Sequence, residues 1–285
     1  MNRAVFSRIS NQQHLKCKFM FGGNIKRMTE MKKLGLIGYP LSHSFSKGYF
    51  AEKFKKENIP NHRYDNYAIP TIADFPNLLA SQTTLVGLNV TIPYKEQVIP
   101  YLDSLDSKAA AIGAVNTIRI ADGKTKGFNT DIDGFEYSLR TLLGEAITGP
   151  LRALVLGTGG AAKAVHYVLQ QLGIVFQTVS RHADKGDLTY EQLNAASMTA
   201  HRLIVNTTPL GMSPHVERAP DLPYEQLGTQ HFLYDLIYNP AETRFLERGR
   251  LAGAKTTNGL EMLHIQAERA WEIWNTKNAG NQLEI

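Results

Sequence analysis

The stretch LRALVLGTGGAA, residues 151–162, joins an apolar strand directly to a glycine-rich turn and the start of a helix. It fits the pattern G-x-G-x-x-A in the strand–turn–helix context that gives this pattern its meaning, although a glycine turn needed only for packing is the alternative. The turn lets the backbone approach a pyrophosphate, and the helix dipole favours negative charge there. The stretch therefore predicts a Rossmann-like dinucleotide site. Its expected backbone contacts are Gly157, Gly159, Gly160 and Ala161.

The identity of the dinucleotide is read at the end of the next strand, where NAD proteins carry an acidic residue about 20 residues past the glycines. This chain has Ser180-Arg181-His182 at that place. Arg181 can bind a ribose 2′-phosphate bidentately or stack on the adenine, whereas a carboxylate would repel the phosphate. We therefore expect NADP(H), with Ser180 and Arg181 among its contacts. Asp184 or Asp187 could still reach back to the ribose if the loop is short, and that alternative stays open.

Strand-like and helical runs alternate along the chain from Met31 onward, which is typical of mostly parallel sheets covered by helices. The expected strands are Leu34–Tyr39, Tyr64–Ile69, Leu85–Thr91, Val115–Ile120, Leu151–Leu156, Val175–Ser180, Leu203–Asn206 and Phe232–Leu236. A last helix, Leu260–Trp274, has Asn258 as its expected N-cap. We predict a two-domain α/β protein. Residues 31–131 plus 259–285 form the substrate-binding and catalytic domain, so that the last helix returns to it, and residues 132–258 form the Rossmann-like domain.

The charge of the chain is concentrated at its N-terminus. The sequence of 285 residues has a formal net charge of +5, and residues 1–30 hold six basic residues against the single acid Glu30. The body from Met31 onward is therefore neutral overall and lacks the basic character of a nucleic-acid-binding protein. We expect residues 1–30 to be an unstructured extension ahead of a natural start at Met31, with an organelle-targeting segment as the alternative.

Cysteine and histidine usage narrows the chemistry further. The single cysteine, Cys17, lies in the N-terminal extension, so the body has no disulfide and no thiolate nucleophile. The nine histidines show no metal-ligand spacing, and we expect no metal. No run approaches the ~18 apolar residues of a membrane span. These features predict a cytoplasmic protein with neither a membrane nor a nucleic-acid partner.

A lysine occupies an unusual place in the segment NVTIPYK, residues 89–95. Leu85–Thr91 is strand-like, and Pro93 suits the first position of a following helix. Lys95 then falls in the first helical turn, where the macrodipole disfavours a cation by a few tenths to ~1 kcal/mol. A local rule that is broken at a strand-to-helix junction indicates a functional site, with a solvated surface lysine as the alternative.

Four further segments carry clusters of polar residues. They are Ser42-His43-Ser44, GAVNT at 113–117, Asn129-Thr130-Asp131 and GLEMLHIQ at 259–266. Each alone has an ordinary explanation as a turn, a helix cap or a solvent-facing side chain. Together with NVTIPYK and the glycine turn, they resemble the shikimate 5-dehydrogenase family, in order, from about residue 34 to residue 275.

The resemblance implies a role for each residue that matches a motif of the family. The implied catalytic pair is Lys95 and Asp131. The implied substrate contacts are Ser42, Ser44, Thr91, Asn116, Tyr238 and Gln266. On the cofactor side the resemblance adds Thr207 and Met212 near the nicotinamide, and Gly259. Two departures stand out: Ser180-Arg181-His182 replaces a frequent Asn-Arg-Thr, and Phe45-Ser46-Lys47 follows the serine pair without the usual proline.

The implied activity is the NADPH-dependent, reversible reduction of 3-dehydroshikimate to shikimate in aromatic amino-acid biosynthesis. Hydride transfer to a ketone creates an alkoxide that needs a proton donor, and an ammonium group held by a carboxylate can polarise and protonate that oxygen. Whether Lys95 or Asp131 delivers the proton is left open, as is a homodimeric state. The alternatives are a quinate/shikimate dehydrogenase with broader cofactor use and a non-catalytic relative that binds the ligand.

Overall fold

The computed structural model describes residues 30–41 and 45–276. The strands are β1 (Lys32–Gly38), β2 (His62–Ala68), β3 (Leu85–Val90), β4 (Ser104–Leu105), β5 (Thr117–Ala121), β6 (Lys124–Phe128), β7 (Arg152–Leu156), β8 (Val175–Ser180), β9 (Leu188–Thr189), β10 (Leu203–Asn206), β11 (Phe232–Asp235) and β12 (Lys255–Thr257). The helices are α1 (Phe45–Lys56), α2 (Phe75–Ser81), α3 (Tyr94–Gln97), α4 (Ser107–Ile112), α5 (Asp131–Leu143), α6 (Gly160–Gln171), α7 (Ala195–Ala200), α8 (Arg244–Leu251) and α9 (Leu260–Asn275). This composition confirms the predicted α/β class.

The first sheet has the strand order β2-β1-β3-β5-β6-β4. Its β1–β2, β1–β3 and β4–β6 pairs are parallel, whereas β3–β5 and β5–β6 are antiparallel. The alternation of β1 sends Ile37 into a core with Leu88 and Ile118 on one face of the sheet. Leu34 packs with Phe50 of α1 on the other face. The sheet is therefore mostly parallel and covered on both faces, as the alternating pattern predicts.

The second sheet has the order β12-β11-β10-β7-β8-β9, and all of its pairs are parallel. Counted from β7, this is the order 3-2-1-4-5-6 of the Rossmann fold. Its central strands are apolar without interruption because consecutive residues such as Leu154 and Val155 are buried in cores on opposite faces. The strand order reverses between β7 and β10, and sheets of this kind bind ligands at that point, beyond the carboxyl ends of the strands.

The last helix, α9, returns to the first sheet. The Trp274 indole Nε1 donates a hydrogen bond of 3.0 Å to the Ile118 carbonyl of β5. The Trp274 ring packs so closely on β3 that position 87 requires glycine, because a Cβ atom on Gly87 would lie 2.2 Å from the indole ring. Gly134 of α5 likewise lets that helix approach the Met262 carbonyl of α9. The C-terminal helix α9 thus packs directly on the first sheet.

Some element boundaries differ from the sequence-based expectation. Pro93 lies at the N-cap of α3 and not at its first helical position, and α3 has only four residues. Lys95 is the second residue of α3 and lies in its first turn, as expected, but the dipole of so short a helix is small and the cost to Lys95 is correspondingly small. The N-cap of α9 is Gly259, although Asn258 Oδ1 does accept the Leu260 N–H at 3.1 Å.

Strand β6 is absent from the predicted pattern. Its sequence, KTKGF, is polar and contains a glycine, because only alternate residues of this strand are buried. A signal was present in the preceding Asp122-Gly123, since both residues have positive φ, as a two-residue hairpin turn requires. Among the described residues, no helix is long and apolar enough to cross a membrane. The same residues contain no cluster of three or more potential metal ligands.

Candidate active site

A pocket of about 290 Å³ opens at the carboxyl ends of β1 and β3. Its lining includes six residues implied by the family motifs or their neighbours: Thr91, Lys95, Asn116, Asp131, Tyr238 and Gln266. These residues come from five separate stretches of sequence, from residue 91 to residue 266. The fold therefore brings most of the predicted substrate-side residues together. Ser42 and Ser44 lie outside the described residues.

Lys95 and Asp131 form an ion pair in this pocket. Lys95 Nζ donates a hydrogen bond of 2.7 Å to Asp131 Oδ2, and the two side chains are 22% and 13% exposed. The Lys95 backbone is held as well, because its carbonyl accepts the Val115 N–H at 2.7 Å. Asp131 is the first residue of α5, where a carboxylate is favoured by the unpaired N–H groups of the helix N-terminus.

Asn116 orients the carboxylate of that pair. Its amide Nδ2 donates to Asp131 Oδ1 at 2.9 Å, and its Oδ1 accepts the Thr130 N–H at 2.7 Å. Asn116 is buried, and these bonds use both ends of its amide group. Asn129 adds a second constraint, since its Oδ1 accepts the Asp131 N–H at 3.1 Å. These bonds hold Asp131 in one orientation, with Oδ2 directed at Lys95.

Three other predicted residues form the polar edge of the pocket. Gln266 is buried on α9 and lines the pocket, and its Nε2 donates a hydrogen bond of 2.9 Å to the Leu263 carbonyl of the same helix. Thr91 follows β3, and its N–H bonds the Ile37 carbonyl at 2.9 Å. Tyr238 is 38% exposed, and burial of the rest of the ring raises the pKa of its hydroxyl. That hydroxyl stays protonated at neutral pH and can donate a hydrogen bond.

Phe45 and Asn89 also line the pocket, and neither had a role predicted from the sequence motifs. Phe45, the first residue of α1, stacks on His264 of α9 at a centroid distance of 5.3 Å and meets Tyr238 edge-on at 5.8 Å. This aromatic group closes one wall of the pocket. Asn89 is buried and accepts the Tyr64 hydroxyl at 2.8 Å. Nothing in the local sequence distinguishes such residues from core packing, because their contacts join segments that lie far apart in the chain.

The glycine turn after β7 has the geometry that its sequence predicts. Gly157 has a φ of +110°, and a Cβ atom there would lie 2.7 Å from Thr207 Oγ1. Gly159 is the N-cap of α6, and a Cβ atom on it would meet none of the described residues within 4 Å. Gly160 and Ala161 then form the first helical positions. Strand, open turn and helix N-terminus together provide a cradle that fits a pyrophosphate.

The loop after β10 is tied to this turn and to β11. The Thr207 hydroxyl donates to the Leu156 carbonyl at 2.7 Å, and the exposed Met212 lies five residues further along the same loop. Asn206 bridges to the buried Asp235, with its Nδ2 3.0 Å from Asp235 Oδ1. Asp235 also accepts the Thr243 hydroxyl, and its burial raises the pKa of its carboxyl to about 6. This network holds the loop in place from its inner side.

Gly259 lies where β12 gives way to α9. A Cβ atom on it would lie 2.1 Å from the Leu236 carbonyl oxygen, so the close approach of the two segments requires glycine. The segment after β11 carries Tyr238 toward the pocket. Gly259 therefore has a demonstrable packing role, and a contact with a ligand stays a prediction.

The end of β8 presents a cation to solvent. Arg181 is exposed, while Ser180 is buried and its Oγ accepts the His182 N–H at 3.1 Å. Asp187, one of the two acids that could have reached the ribose, instead accepts the Thr178 N–H of β8 at 2.7 Å. Asp184 is exposed in the same loop. The side chains at this strand end thus fit a 2′-phosphate better than a ribose hydroxyl pair.

The chain is similar in sequence to proteins of one known family. A family profile described as the shikimate dehydrogenase substrate binding domain matches residues 36–118. The shikimate dehydrogenase (NADP(+)) of Carboxydothermus hydrogenoformans is 38% identical over 261 residues, which cover 86% of this chain and 92% of that protein.

Two solved structures have the same overall fold. The crystal structure of shikimate 5-dehydrogenase from Thermus thermophilus, in complex with NADP(H) and shikimate, gives a TM-score of 0.76 at 30% identity, covering 86% of this chain and 94% of that one. Quinate dehydrogenase from Corynebacterium glutamicum, in complex with NAD, gives a TM-score of 0.77 at 27% identity with the same coverage. The similarity therefore extends over both sheets.

Proposed function

This chain belongs to the shikimate dehydrogenase family, and we propose that it catalyses the reversible, NADP-dependent reduction of 3-dehydroshikimate to shikimate in aromatic amino-acid (chorismate) biosynthesis. The observation that carries the proposal is the Lys95–Asp131 pair, which lies 2.7 Å apart inside a pocket lined by hydrogen-bonding side chains. The Rossmann-order sheet with its open glycine turn supports a dinucleotide as the second ligand.

The chemistry of the proposal needs a proton donor at the substrate carbonyl. When bound, NADPH supplies the hydride. The Lys95 ammonium group can donate a hydrogen bond to the ketone oxygen and stabilise the negative charge that develops on it. Asp131 holds that ammonium group in place, and Asn116 holds Asp131. The pair acts as a unit, and either member can be the one that finally transfers the proton.

We assign the substrate contacts to the polar lining of the pocket. Thr91, Asn116, Tyr238 and Gln266 lie there, and Ser42 and Ser44 are proposed to bind the carboxylate on the basis of the family motif. A site of this composition rejects analogues that lack hydroxyl groups, because its buried polar groups would lose their partners. The cofactor contacts proposed are Gly157, Gly159, Gly160, Ala161, Ser180, Arg181, Thr207, Met212 and Gly259.

Oxidation of quinate with NAD is the second candidate activity. It is kept as an alternative because a quinate dehydrogenase in complex with NAD has the same fold, at a TM-score of 0.77. Arg181 at the end of β8, together with the engagement of Asp187 by the strand backbone, favours NADP. A non-catalytic, ligand-binding role is disfavoured because both members of the Lys95–Asp131 pair are present and in contact.

Steady-state kinetics of the full chain test the proposal. Shikimate and quinate are each assayed with NADP and with NAD, and we expect the highest kcat/KM for shikimate with NADP. Lys95→Ala should lower kcat by about 10²–10⁴-fold while shikimate still binds, as expected for loss of a general acid. Unchanged turnover in Lys95→Ala would refute the mechanism. A higher kcat/KM for quinate with NAD would instead support the second candidate.

The remaining proposals concern organisation. We propose residues 31–131 plus 259–285 as the substrate-binding and catalytic domain and residues 132–258 as the nucleotide domain, in line with the two sheets. A cytoplasmic location is proposed from the cysteine usage of the sequence, and a homodimer is left as an alternative to a monomer. Size-exclusion chromatography with light scattering separates the last two.

A further inference from the structure

An ion pair joins the helix that carries Lys95 to the helix that follows the glycine turn. Glu96 Oε2 of α3 lies 2.8 Å from Lys163 Nζ of α6. The two side chains are 49% and 40% exposed, so the pair itself adds little stability. Its importance lies in its position, because Glu96 is the residue next to Lys95 and Lys163 is the fourth residue of α6.

The Glu96 carboxylate lies beside the first turn of α6. A Cβ atom built on Gly160 would lie 3.8 Å from Glu96 Oε1. Apart from the neighbouring residues and the backbone of α6 itself, no other atom of the described residues would lie within 4 Å of that Cβ atom. The same construction at Gly159 meets no atom of those residues. Within the described part of the chain, the Cβ positions of Gly159 and Gly160 are therefore uncrowded, and the one side-chain atom near them belongs to a carboxylate. An anion is favoured at such a place by the N–H groups and the helix dipole.

A nearby anion also stabilises the charged side chain of Lys163. A cation near the N-terminus of a helix is disfavoured by the dipole, and α6, with 12 residues, has a developed one. Its first turn contains no acidic side chain. Glu96 supplies the missing negative charge from another element of the fold. A pyrophosphate bound at the glycine turn would supply it too, and the two anions would repel each other.

We propose that Glu96 is an anionic placeholder that competes with the dinucleotide's pyrophosphate for Lys163 and for the N-terminus of α6. This inference rests on the proposed function, because it assumes that the dinucleotide binds at the glycine turn. When the pyrophosphate binds, Lys163 exchanges the Glu96 carboxylate for a phosphate oxygen. Helix α3, which carries Lys95, then loses its ion pair to α6. Glu96 thereby lowers cofactor affinity and couples cofactor binding to the helix of the catalytic lysine.

Cofactor binding to charge variants tests the proposal. The Kd for NADPH is measured by fluorescence titration of the full chain without shikimate, at low ionic strength. Glu96→Gln should bind NADPH roughly two- to fivefold more tightly, and Lys163→Met more weakly by a similar factor, as expected for one partly exposed charge interaction. Glu96→Asp keeps the charge and should stay near the wild-type value. The difference between Glu96→Gln and wild type should shrink at 1 M salt, where the Debye length falls to about 3 Å.

A matched control is Glu272→Gln, which removes the same charge from an exposed ion pair with Arg269 far along α9. It should leave the Kd unchanged. If Glu96→Gln binds NADPH no better than Glu272→Gln, or binds it more weakly, the placeholder role is refuted. Wild-type protein that binds NADPH but does not oxidise shikimate would refute the proposed function alone, since the comparison of variants still applies. Wild-type protein that binds neither NADPH nor inorganic pyrophosphate would refute both.

Discussion

Asn116 donates a hydrogen bond from its amide nitrogen to Asp131 Oδ1 over 2.9 Å. This bond occupies one carboxylate oxygen and leaves Oδ2 for Lys95 at 2.7 Å. Asn116 thus orients the Lys95 ammonium group indirectly, through its hydrogen bond to Asp131. Hydrogen-bond donors that are positioned in advance act on a developing charge without a cost of reorganisation at the moment of reaction.

Replacement of Asn116 should damage catalysis and stability together. Asn116→Ala removes the partners of Asp131 Oδ1 and of the Thr130 N–H, both near the N-terminus of α5. Loss of a partner for a buried group costs about 1–3 kcal/mol, and we expect kcat to fall about tenfold or more as the pair loses its orientation. Urea denaturation and steady-state kinetics measure the two effects. The exposed Asn275→Ala serves as control, and wild-type kcat in Asn116→Ala would contradict the prediction.

Arg181→Ala should change cofactor preference and little else. Arg181 is exposed at the end of β8, so its loss creates no cavity and should leave thermal stability close to wild type. Loss of a charge-assisted, bidentate phosphate contact removes about 1.5–3 kcal/mol, which predicts a roughly 10- to 100-fold lower kcat/KM with NADPH. The kcat/KM with NADH should stay nearly constant. An equal loss with both cofactors would show that Arg181 does not read the 2′-phosphate.

Two glycine substitutions should have opposite effects on stability. Gly87→Ala places a methyl group 2.2 Å from the Trp274 ring, so α9 must shift from the first sheet. Overpacking of this kind typically costs about 1–3 kcal/mol, and displacement of α9 should also raise the KM for shikimate because Gln266 lies on that helix. Gly48→Ala, in α1, meets none of the described residues within 4 Å and should stabilise by about 0.5–1 kcal/mol. Equal denaturation midpoints for the two variants would contradict the packing argument.

Asp235 should give the protein a pH dependence of opposite sign to that of most carboxylates. Burial raises the pKa of this carboxyl to about 6 in the folded chain, against about 4 when unfolded. Between these values the folded state binds more protons than the unfolded state, so the free energy of unfolding falls as pH rises, by up to about 3 kcal/mol in total. Below about pH 4 this contribution is fully present, and above about pH 6 it is lost.

Asp235→Asn tests that dependence because it imitates the protonated acid. Its amide oxygen can still accept from Asn206 and Ile237, and its amide nitrogen can donate to Thr243. The variant should therefore lack the loss of stability that Asp235 is expected to cause in the wild type between about pH 4 and pH 6. Urea denaturation at several pH values measures the difference, and parallel curves for the two proteins across this range would rule out the assigned role of Asp235.

Sequence patterns predicted best those strands that are buried on both faces. The expected Leu203–Asn206 coincides with β10, whose four residues are all buried, as in strands that lie between two helical layers. The expected Val175–Ser180 also coincides with β8, although only its last three residues are buried. Prediction failed for the polar β6 and for α8, in which only Phe245, Leu246 and Gly249 are buried. In these elements, tertiary contacts replace periodicity as the source of stability, and a short polar segment carries no signal of such contacts.

The candidate site divides in the same way. The motifs named Lys95 and Asp131 separately, and the resemblance implied that they act together, but the distance between them follows from the packing of α3, β5 and α5. The Glu96–Lys163 ion pair could not be predicted from the sequence. The two residues lie 67 positions apart, Glu96 in α3 beside the first sheet and Lys163 in α6 beside the second. No local rule of propensity or spacing relates such positions.

Local chemistry along the chain was enough to predict the alternating α/β pattern, the glycine turn and a cation at the end of β8, because strand burial, turn conformation and charge are properties of consecutive residues. The orientation of Asp131 by Asn116, the return of α9 onto Gly87 and the carboxylate before α6 depend on contacts between distant segments. Such contacts are set by how whole sheets and helices pack. For this reason sequence motifs could name Thr91, Lys95, Asn116, Asp131, Tyr238 and Gln266 as candidates, while their meeting in one pocket with Phe45 and Asn89 could be known only from the folded structure.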